Sequence, residues 1–231
     1  MINTKTRSSQ SEWMDNMEIS GQELRSTLVT LGHINNRLGG NRTLFKGLNA
    51  VLKNHDKNIP VRLLDIGCGD GDQLRRIAKW GAKKGYKLSL TGLDANPDCI
   101  AFAKERSLEY PEIMYLVEDV FAAPKQNYHI VTATLFLHHF KGPQIVNIIK
   151  NYSWDKSLGI VVNDLHRSRL AYYLFHLVCL FIKNPMIKND GLISILRGFK
   201  RKDLDAYATA LGKRSSVKWR WAFRFQWIIF N

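Results

Sequence analysis

An apolar run that leads directly into a glycine-rich turn restricts the possible folds of this chain more than any other segment. Residues 61–66 read Val-Arg-Leu-Leu-Asp-Ile, and glycines follow at positions 67, 69 and 71 before a helical pattern begins. Glycine lets the backbone turn sharply and lets a ligand approach it closely. Ligands of open parallel sheets bind at the carboxyl ends of the strands. The segment therefore predicts an α/β chain with a ligand site at this turn.

Short apolar runs alternate with helical stretches after Pro60, which is typical of βαβ units and a parallel sheet. Pro97 and Pro143 stand where a helix can begin, because the first helical turn does not need its N–H groups. The predicted strands cover residues 62–66, 88–94, 113–117, 130–134 and 158–163, and the helices between them cover 71–84, 97–107 and 143–152.

The chain after the fifth strand predicts an apolar helix at 170–183, a loop at 184–198 and a short helix at 202–211. The tail, residues 217–230, alternates with the period of a strand, and no glycine or proline decides between one strand and two. Its aromatic residues share one face, which we expect to enter the core. That face carries Trp219, Trp221, Phe223, Phe225 and Trp227, and the opposite face carries Lys218, Arg220, Arg224 and Gln226.

Length and pattern together predict one α/β domain with appendages. Residues 1–20 are expected to form a loose, polar lead-in, and residues 21–54 have the pattern of two helices. We therefore assign an N-terminal helical cap to residues 1–54 and the main domain to residues 55–231. A helical lid is expected as an insertion at about residues 167–199.

Acidic residues separate the glycine turn from a dinucleotide-binding turn. A G-x-G-x-x-G fingerprint would need glycine at position 72, where the chain has Asp72. Asp65, Asp70 and Asp72 would repel a pyrophosphate, whereas they suit a cation such as a sulfonium. No G-K-[ST] follows, which excludes a Walker A loop.

The turn resembles motif I of class I S-adenosylmethionine (SAM)-dependent methyltransferases, D/E-x-G-x-G-x-G, with Asp65, Gly67, Gly69 and Gly71 at its positions. The resemblance covers roughly residues 62–164. It implies a Rossmann-like, doubly wound, mostly parallel seven-stranded sheet with helices on both faces. It also implies SAM as the cofactor of the main domain, S-adenosylhomocysteine as the product, and no metal.

The same resemblance assigns cofactor contacts at the ends of the predicted strands. Asp94 would accept hydrogen bonds from the ribose hydroxyls, although a helix cap is the alternative for this residue. Asp119 would bind the adenine amino group, and the backbone around Thr134 would lie beside the methionine portion. The predicted cofactor set is Asp65, Gly67, Cys68, Gly69, Gly71, Asp94, Ala95, Asp119, Val120, Thr134 and Leu135.

A hydroxyl acceptor needs a base, and histidine is the usual one because its pKa lies near neutral. His138 and His139 follow the fourth strand, and His166 follows the fifth, where Asp164 and Arg167 could tune it. Packing under the cofactor is the alternative for the first two, since Leu-His-His resembles a stretch found in many methyltransferases.

A hydrophobic or aromatic acceptor is predicted by the apolar helix, from which Tyr172 and Tyr173 would contact the substrate. Arg197 could pair with a substrate carboxylate or phosphate. The appended region resembles small-molecule methyltransferases of bacterial quinone, polyketide and phenol pathways. Residues 133–136 depart from the N-P-P-[YF] tetrad of nitrogen-directed methyltransferases. We therefore predict O-methylation of a phenol, enol or quinol, with C-methylation as the second choice.

The net charge of +14 leaves other partners open. Such a balance suits an anionic membrane surface, an acidic carrier protein or nucleic acid. An RNA-directed methyltransferase is one alternative, disfavoured because the tail aromatics are expected in the core. A non-catalytic SAM-binding interaction protein is another, and the intact glycines of the turn argue against it.

The three cysteines lack zinc or disulfide spacing, which predicts buried thiols in a reducing cytoplasm. The first residues do not read as a secretory signal. The longest apolar stretch, at 170–182, has 13 residues, short of the roughly 20 that cross a bilayer. The predicted location is cytoplasmic, with peripheral membrane contact as an option.

Overall fold

The computed structural model describes residues 2–124 and 126–231. Its strands are β1 (Val61–Ile66), β2 (Leu88–Asp94), β3 (Ile113–Val117), β4 (Ile130–Thr134), β5 (Gly159–Leu165), β6 (Ser215–Arg220) and β7 (Arg224–Ile229). Its helices are α1 (Gly21–Arg37), α2 (Gly40–Val51), α3 (Asp72–Lys84), α4 (Pro97–Arg106), α5 (Gly142–Asn151), α6 (Arg169–Val178), α7 (Pro185–Arg197) and α8 (Arg201–Leu211).

The strands of the described residues form a seven-stranded sheet in the order β3-β2-β1-β4-β5-β7-β6. Strands β1 to β5 pair in parallel, and β7 runs antiparallel to both β5 and β6. The predicted doubly wound, mostly parallel sheet is confirmed. The strand order reverses between β1 and β4, and open α/β sheets bind their ligands at such a reversal.

Apolar side chains pack on both faces of the sheet. On one face α5 and α8 bury Ile145, Ile148 and Leu204. On the other face α2 and α3 bury Leu44 and Leu74. Each such side chain stabilises the fold by about 1.5–3 kcal/mol relative to exposure. The two-sided core holds the strand ends in fixed positions.

The sequence predicts a loop at 184–198, and this prediction is wrong because α7 occupies that segment. The side chain of Asn184 accepts a hydrogen bond from the backbone N–H of Ile187, and Pro185 takes the first helical position. Met186, Ile187 and Ile195 are buried. The residues that begin α7, Asn184 and Pro185, are thus visible in the local sequence. The burial of Met186, Ile187 and Ile195 depends instead on the elements that pack against the helix.

The predicted orientation of the tail is also wrong in part. The tail forms two strands, β6 and β7, and Trp219 and Trp221 are 48% and 66% exposed. Arg224 and Gln226, on the face opposite to the aromatic residues, are each only 2% exposed. The reason is that α2 covers this face, where Gln226 Nε2 donates to the carbonyl oxygen of Thr43.

The polar lead-in is not loose, contrary to the prediction. Glu12 is buried, the N–H of Ser8 donates to Leu196 in α7, and the N–H groups of Trp13 and Met14 donate to the carboxylate of Asp190. The division at residue 54 and the lid assignment at 167–199 stay predictions. Within the described ranges, no helix combines the length and apolarity that crossing a membrane requires. The three cysteines are buried and unpaired, as predicted.

Candidate active site

A cavity of about 810 Å³ lies at the carboxyl ends of the central strands. Pockets for small molecules usually measure about 300–1,000 Å³, so this volume lies at the upper end of the range. The glycine turn after β1 and the ends of β2 and β4 form its floor. Parts of residues 12–38, α6, α7 and the turn before β7 form its cover.

The glycine turn presents bare backbone to this cavity. Gly67 and Gly69 have positive φ angles of 66° and 54°, which favour glycine. A Cβ atom on Gly67 would lie 2.0 Å from a ring carbon of Phe136. A Cβ atom on Gly69 would meet only a methyl group of Leu28, at 3.3 Å. Gly67 is thus needed for packing, and Gly69 leaves room for a ligand.

Two carboxylates line the cavity next to the turn, and one of them, Asp94, is bonded to it. Asp94 accepts hydrogen bonds from the N–H groups of Gly69 (2.9 Å) and Asn96 (3.0 Å), and burial raises its pKa. Asp65 accepts a hydrogen bond from the hydroxyl of Thr132 (2.6 Å), and burial raises its pKa to about 7. A cationic ligand would favour the ionised form of both groups.

The cavity lining fits SAM, which carries a sulfonium cation and an amino acid. The hydroxyl of Thr134 and the side-chain oxygen of Gln73 are buried there without a hydrogen-bond partner in the described chain. Buried polar atoms are normally hydrogen-bonded, so both atoms are available to bind a polar ligand. Carboxylates dominate the charged lining in the described part of the chain, namely Glu12, Asp15, Asp65, Asp70, Asp72 and Asp94.

The structure brings most of the predicted cofactor residues together. Asp65, Gly67, Cys68, Gly69, Asp94, Thr134 and Leu135 line the cavity. The other predicted residues lie outside the lining. Asp119 is exposed and accepts the N–H of Phe121 (2.9 Å), Val120 lies in the core, Ala95 is exposed, and Gly71 precedes α3 with a Cβ position blocked by Tyr115.

His138 bridges two buried carboxylates. Its Nδ1 lies 2.7 Å from Asp164 Oδ1, and its Nε2 lies 3.4 Å from Glu12 Oε1. Burial alone would lower the pKa of His138, but Asp164 and Glu12 raise it to about 9. His138 is therefore an imidazolium at neutral pH. The expectation that Asp164 and Arg167 tune His166 is wrong for Asp164, which pairs with His138 instead. Burial lowers the pKa of His166, and the charges of Lys200 and Arg167 lower it further.

His139 has a different partner. Its Nδ1 lies 2.6 Å from Asp15 Oδ1, while Arg197 Nη1 lies 2.5 Å from Asp15 Oδ2. Burial would raise the pKa of Asp15, but the hydrogen bonds from His139 and Arg197 hold it well below its usual range. The ionised Asp15 orients the imidazole with Nδ1 toward itself, which leaves Nε2 free.

The other predicted acceptor residues lie elsewhere. His166 accepts a hydrogen bond from Trp219 Nε1 (3.3 Å) and is not part of the lining. Tyr172 and Tyr173 also lie outside it, and α6 contributes Ala171, Leu174, Phe175 and Val178 instead. Arg197 is buried and donates to the carbonyl oxygens of His138 and His139. Sequence reasoning missed Glu12, Asp15, Asn35 and Arg224, for which no local motif exists.

Three donor atoms in the cavity wall have a spacing that a metal ion could use. One atom each from Glu12, His138 and His139 lies within 4.8 Å of the others. The sequence predicts no metal, and this stays a prediction.

The central part of the sheet and the glycine turn match a known protein family. The methyltransferase domain family matches residues 63–153, from β1 through α5. That match includes the glycine turn, Asp94 and the two histidines. Residues 63–153 therefore form a methyltransferase domain, and the match supports a class I SAM-dependent enzyme.

Relatives of this methyltransferase domain occur in quinone biosynthesis. A ubiquinone biosynthesis O-methyltransferase of Vibrio parahaemolyticus serotype O3:K6 is 32% identical over 137 residues, which are 57% of this chain and 54% of that protein. One from Salmonella paratyphi A is 36% identical over 89 residues, which are 37% of this chain and 34% of that protein. The chain thus aligns with about half the length of such relatives or less.

Solved methyltransferases share the fold. The plantazolicin methyltransferase in complex with S-adenosylhomocysteine superposes with a TM-score of 0.68 at 14% identity, covering 90% of both chains. The magnesium protoporphyrin IX methyltransferase of Synechocystis PCC 6803 superposes with a TM-score of 0.56 at 13% identity, covering 94% of this chain and 89% of that one. At these identities the likeness concerns the fold alone.

Proposed function

We propose that the chain O-methylates a phenol, enol or quinol hydroxyl on a hydrophobic small molecule. The observation that carries this proposal is a carboxylate-backed imidazole, Asp15–His139, in the wall of a cavity that also contains the glycine turn. Most of the remaining lining is apolar, including Leu24, Leu28, Leu31, Phe175 and Ile195. An apolar pocket with few polar groups is typical of a site for a small apolar molecule.

The proposed cofactor contacts are the backbone of Gly67 and Gly69, the carboxylate of Asp94 and the hydroxyl of Thr134. Asp94 retains lone pairs for the ribose hydroxyls, because each of its oxygens accepts one backbone N–H. Bound SAM would supply a methyl group on a positively charged sulfur, open to in-line attack by an oxygen nucleophile.

His139 acts as the base in this proposal. With Nδ1 held by the ionised Asp15, Nε2 accepts the proton of the acceptor hydroxyl, and the resulting imidazolium is stabilised by Asp15. His138 does not compete, since it already carries a proton at neutral pH. We assign His138 to holding Glu12, and with it the N-terminal segment, against Asp164 on β5.

Residues 167–199 serve as the lid, and the cap of residues 1–54 completes the enclosure of the main domain, residues 55–231. Leu174, Phe175 and Val178 of α6 face the cavity from one side, and residues 24–38 face it from the other. Such enclosure excludes water from the reacting groups.

The first experiment is calorimetric titration of the protein with SAM and S-adenosylhomocysteine, followed by a methyl-transfer screen of phenols and quinols. Micromolar binding of both and turnover of a hydroxyl acceptor are expected. Asp94→Ala should abolish binding, while the exposed Asp56→Ala serves as the matched control. Absence of binding to the unmodified protein would overturn the proposal, and binding without turnover would favour a non-catalytic SAM-binding protein.

We expect this reaction to need no metal, because Asp15 already holds His139 Nδ1 at 2.6 Å. Turnover should be unchanged after dialysis against a chelator. Loss of turnover that Mg²⁺ or Zn²⁺ restores would instead identify a metal at Glu12, His138 and His139.

We also propose that the protein docks on a bilayer that contains anionic lipids. Leu174 and Val178 line the cavity and are 42% and 45% exposed, so the cavity opens at α6. Exposed Arg169 and Lys183 flank this helix, and the net charge is +14. Apolar residues with flanking cations suit an anionic lipid surface. The exposed apolar residues of α6 and of the segment that follows it are Leu170, Tyr173, Leu177, Leu180 and Phe181, which are 50–86% exposed.

Vesicle sedimentation tests this docking. The protein should pellet with vesicles of phosphatidylcholine and phosphatidylglycerol and much less with phosphatidylcholine alone. Leu177→Ser with Phe181→Ser should lose this binding, whereas Leu108→Ser, at a site 85% exposed, should keep it. Equal pelleting of all variants, or binding of an acidic carrier protein without binding of vesicles, would contradict the proposal.

An RNA acceptor is the second candidate function, because Trp219 and Trp221 are exposed on either side of Arg220. Exposed aromatics between basic residues can stack on unpaired bases. Binding of an oligouridine that falls steeply with salt would support it. Binding that is absent or insensitive to salt would exclude RNA as the methyl acceptor.

A further inference from the structure

Arg224 is a guanidinium buried in the cavity wall, and no carboxylate of the described residues forms an ion pair with it. It is 2% exposed, and its Nε and Nη1 have no hydrogen-bond partner in the described chain. Asp164 attracts it, but that carboxylate is held by His138 at 2.7 Å. Burial lowers the pKa of Arg224 to about 10, which leaves it charged at neutral pH. A buried charge is costly unless it is paired.

The sheet places this charge away from the glycine turn. Arg224 begins β7 and pairs with Leu165 at the carboxyl end of β5. Between β7 and β1 lie β5 and β4, so three strand spacings of about 4.8 Å separate the Arg224 backbone from β1 by about 14 Å. The guanidinium therefore belongs to the acceptor end of the cavity.

The surroundings make Arg224 distinctive. It is the one lysine or arginine in the lining formed by the described residues. Its neighbours in the chain, Trp221, Ala222 and Phe223, contribute apolar surface to the same wall. A guanidinium with apolar neighbours attracts an anion strongly, because little water screens its charge.

We propose that Arg224 binds an anionic oxygen group on the methyl acceptor, either a carboxylate or the hydroxyl oxygen once His139 has taken its proton. This inference rests on the proposed function, since it concerns the acceptor of that reaction. The acceptor is then an apolar molecule that carries one anionic oxygen group when the methyl group is transferred. Guanidinium groups suit this purpose because they stay charged and offer several N–H donors.

Binding of matched aromatic probes to the protein saturated with S-adenosylhomocysteine tests the proposal. The probes are 4-hydroxybenzoate, the neutral isostere 4-hydroxybenzamide and 4-nitrophenolate, measured by calorimetry. At least one anionic probe should bind roughly tenfold more tightly than the amide. A preference for 4-hydroxybenzoate identifies a carboxylate, and a preference for 4-nitrophenolate alone identifies the ionised hydroxyl.

Arg224→Met should remove this preference without changing the affinity for S-adenosylhomocysteine. Lys218→Met is the matched control, because Lys218 lies on the same hairpin and is exposed. Arg224→Lys, which keeps the cation, should retain part of the preference. Equal binding of the amide and both anions, or an unchanged preference in Arg224→Met, would overturn the proposal.

Thermal unfolding separates this role from a structural one. Removal of an unpaired buried cation should raise the Tm of Arg224→Met by about 2–4 °C. A lower Tm would show that Arg224 stabilises the fold and would count against the proposal. Failure of the unmodified protein to bind S-adenosylhomocysteine would contradict the proposed function instead, and the anion preference of the free protein would still report on Arg224.

Discussion

Two adjacent histidines receive different environments from carboxylates that are distant in the sequence. His138 lies between Asp164 and Glu12, which raise its pKa to about 9. His139 lies against Asp15, which is ionised and also bound by Arg197. The sequence predicts both histidines as candidate bases. It does not distinguish them, because Glu12 and Asp15 come from a segment that the sequence pattern marks only as a polar lead-in.

His139→Ala should lower kcat by roughly 10²–10⁴-fold, because the hydroxyl proton loses its acceptor. The affinity for S-adenosylhomocysteine should stay within about twofold, since the glycine turn is untouched. The loss should shrink at alkaline pH, where more of the acceptor is ionised. Initial rates across pH with the best acceptor measure both effects.

The matched control for this variant is His33→Ala, at an exposed position on α1. A full rate in His139→Ala across the pH range would exclude His139 as the base. Asp15→Asn should lower kcat by less than His139→Ala does, because the imidazole remains but the charge that orients it is gone.

At the scale of elements, local signals predict where helices and strands begin but not which faces are covered. The β1 turn and the helix starts at Pro97 and near Pro143 follow from the sequence. The β6–β7 hairpin shows the limit of this reasoning. Its alternation is real, yet Arg224 is buried and Trp219 is half exposed, because α2 packs on one face and β6 lies at the sheet edge.

Gly67→Ala should weaken SAM binding by at least about tenfold and lower the Tm. A Cβ atom there would lie 2.0 Å from the ring of Phe136, at a φ of 66° that L side chains rarely adopt. Phe136 lines the cavity, so its displacement disturbs the site. Calorimetry with SAM and thermal unfolding measure the two effects.

Gly85→Ala is the matched control, because Gly85 also has a positive φ, of 76°, but no atom lies within 4 Å of its Cβ position. Gly85→Ala should lower the free energy of unfolding by about 1–2 kcal/mol, the strain of a left-handed backbone, and should leave SAM affinity unchanged. Equal effects of the two substitutions would mean that Phe136 moves aside freely.

At the scale of the whole molecule, the first residues of the chain are tied to its centre by buried charge. Glu12 contacts His138, which contacts Asp164 on β5, and Ser194 of α7 donates to Glu12 at 2.8 Å. Removing one partner of a buried ion pair typically costs about 3–5 kcal/mol. The enclosure of the cavity and the global stability therefore depend on the same buried charges, those of Glu12, His138 and Asp164.

The free energy of unfolding should fall as the pH rises from about 6.5 to about 9. The pKa of His138 is raised in the folded state, so its stabilisation is complete below about 6.5 and is lost as the pH rises through about 9. The pKa values of Glu12 and Asp164 are lowered, so their stabilisation is lost in acid. Urea unfolding at several pH values measures these slopes.

His138→Asn should be less stable at neutral pH. It should also lose most of the fall in unfolding free energy between about pH 6.5 and 9, whereas His33→Ala should retain that fall. An unchanged slope in His138→Asn would place the titration on another group.

Sequence patterns are sufficient to predict the parallel sheet and the glycine turn, and seven of the predicted cofactor residues line the cavity at that turn. These features are local or periodic, because a turn with positive φ needs glycine and buried strands need apolar runs. Three features follow only from the packed structure: which histidine meets which carboxylate, the helix α7 in place of a predicted loop, and the position of Arg224 in the cavity wall. These depend on contacts between segments far apart in the chain, where burial and pairing of charge, rather than local pattern, set the outcome.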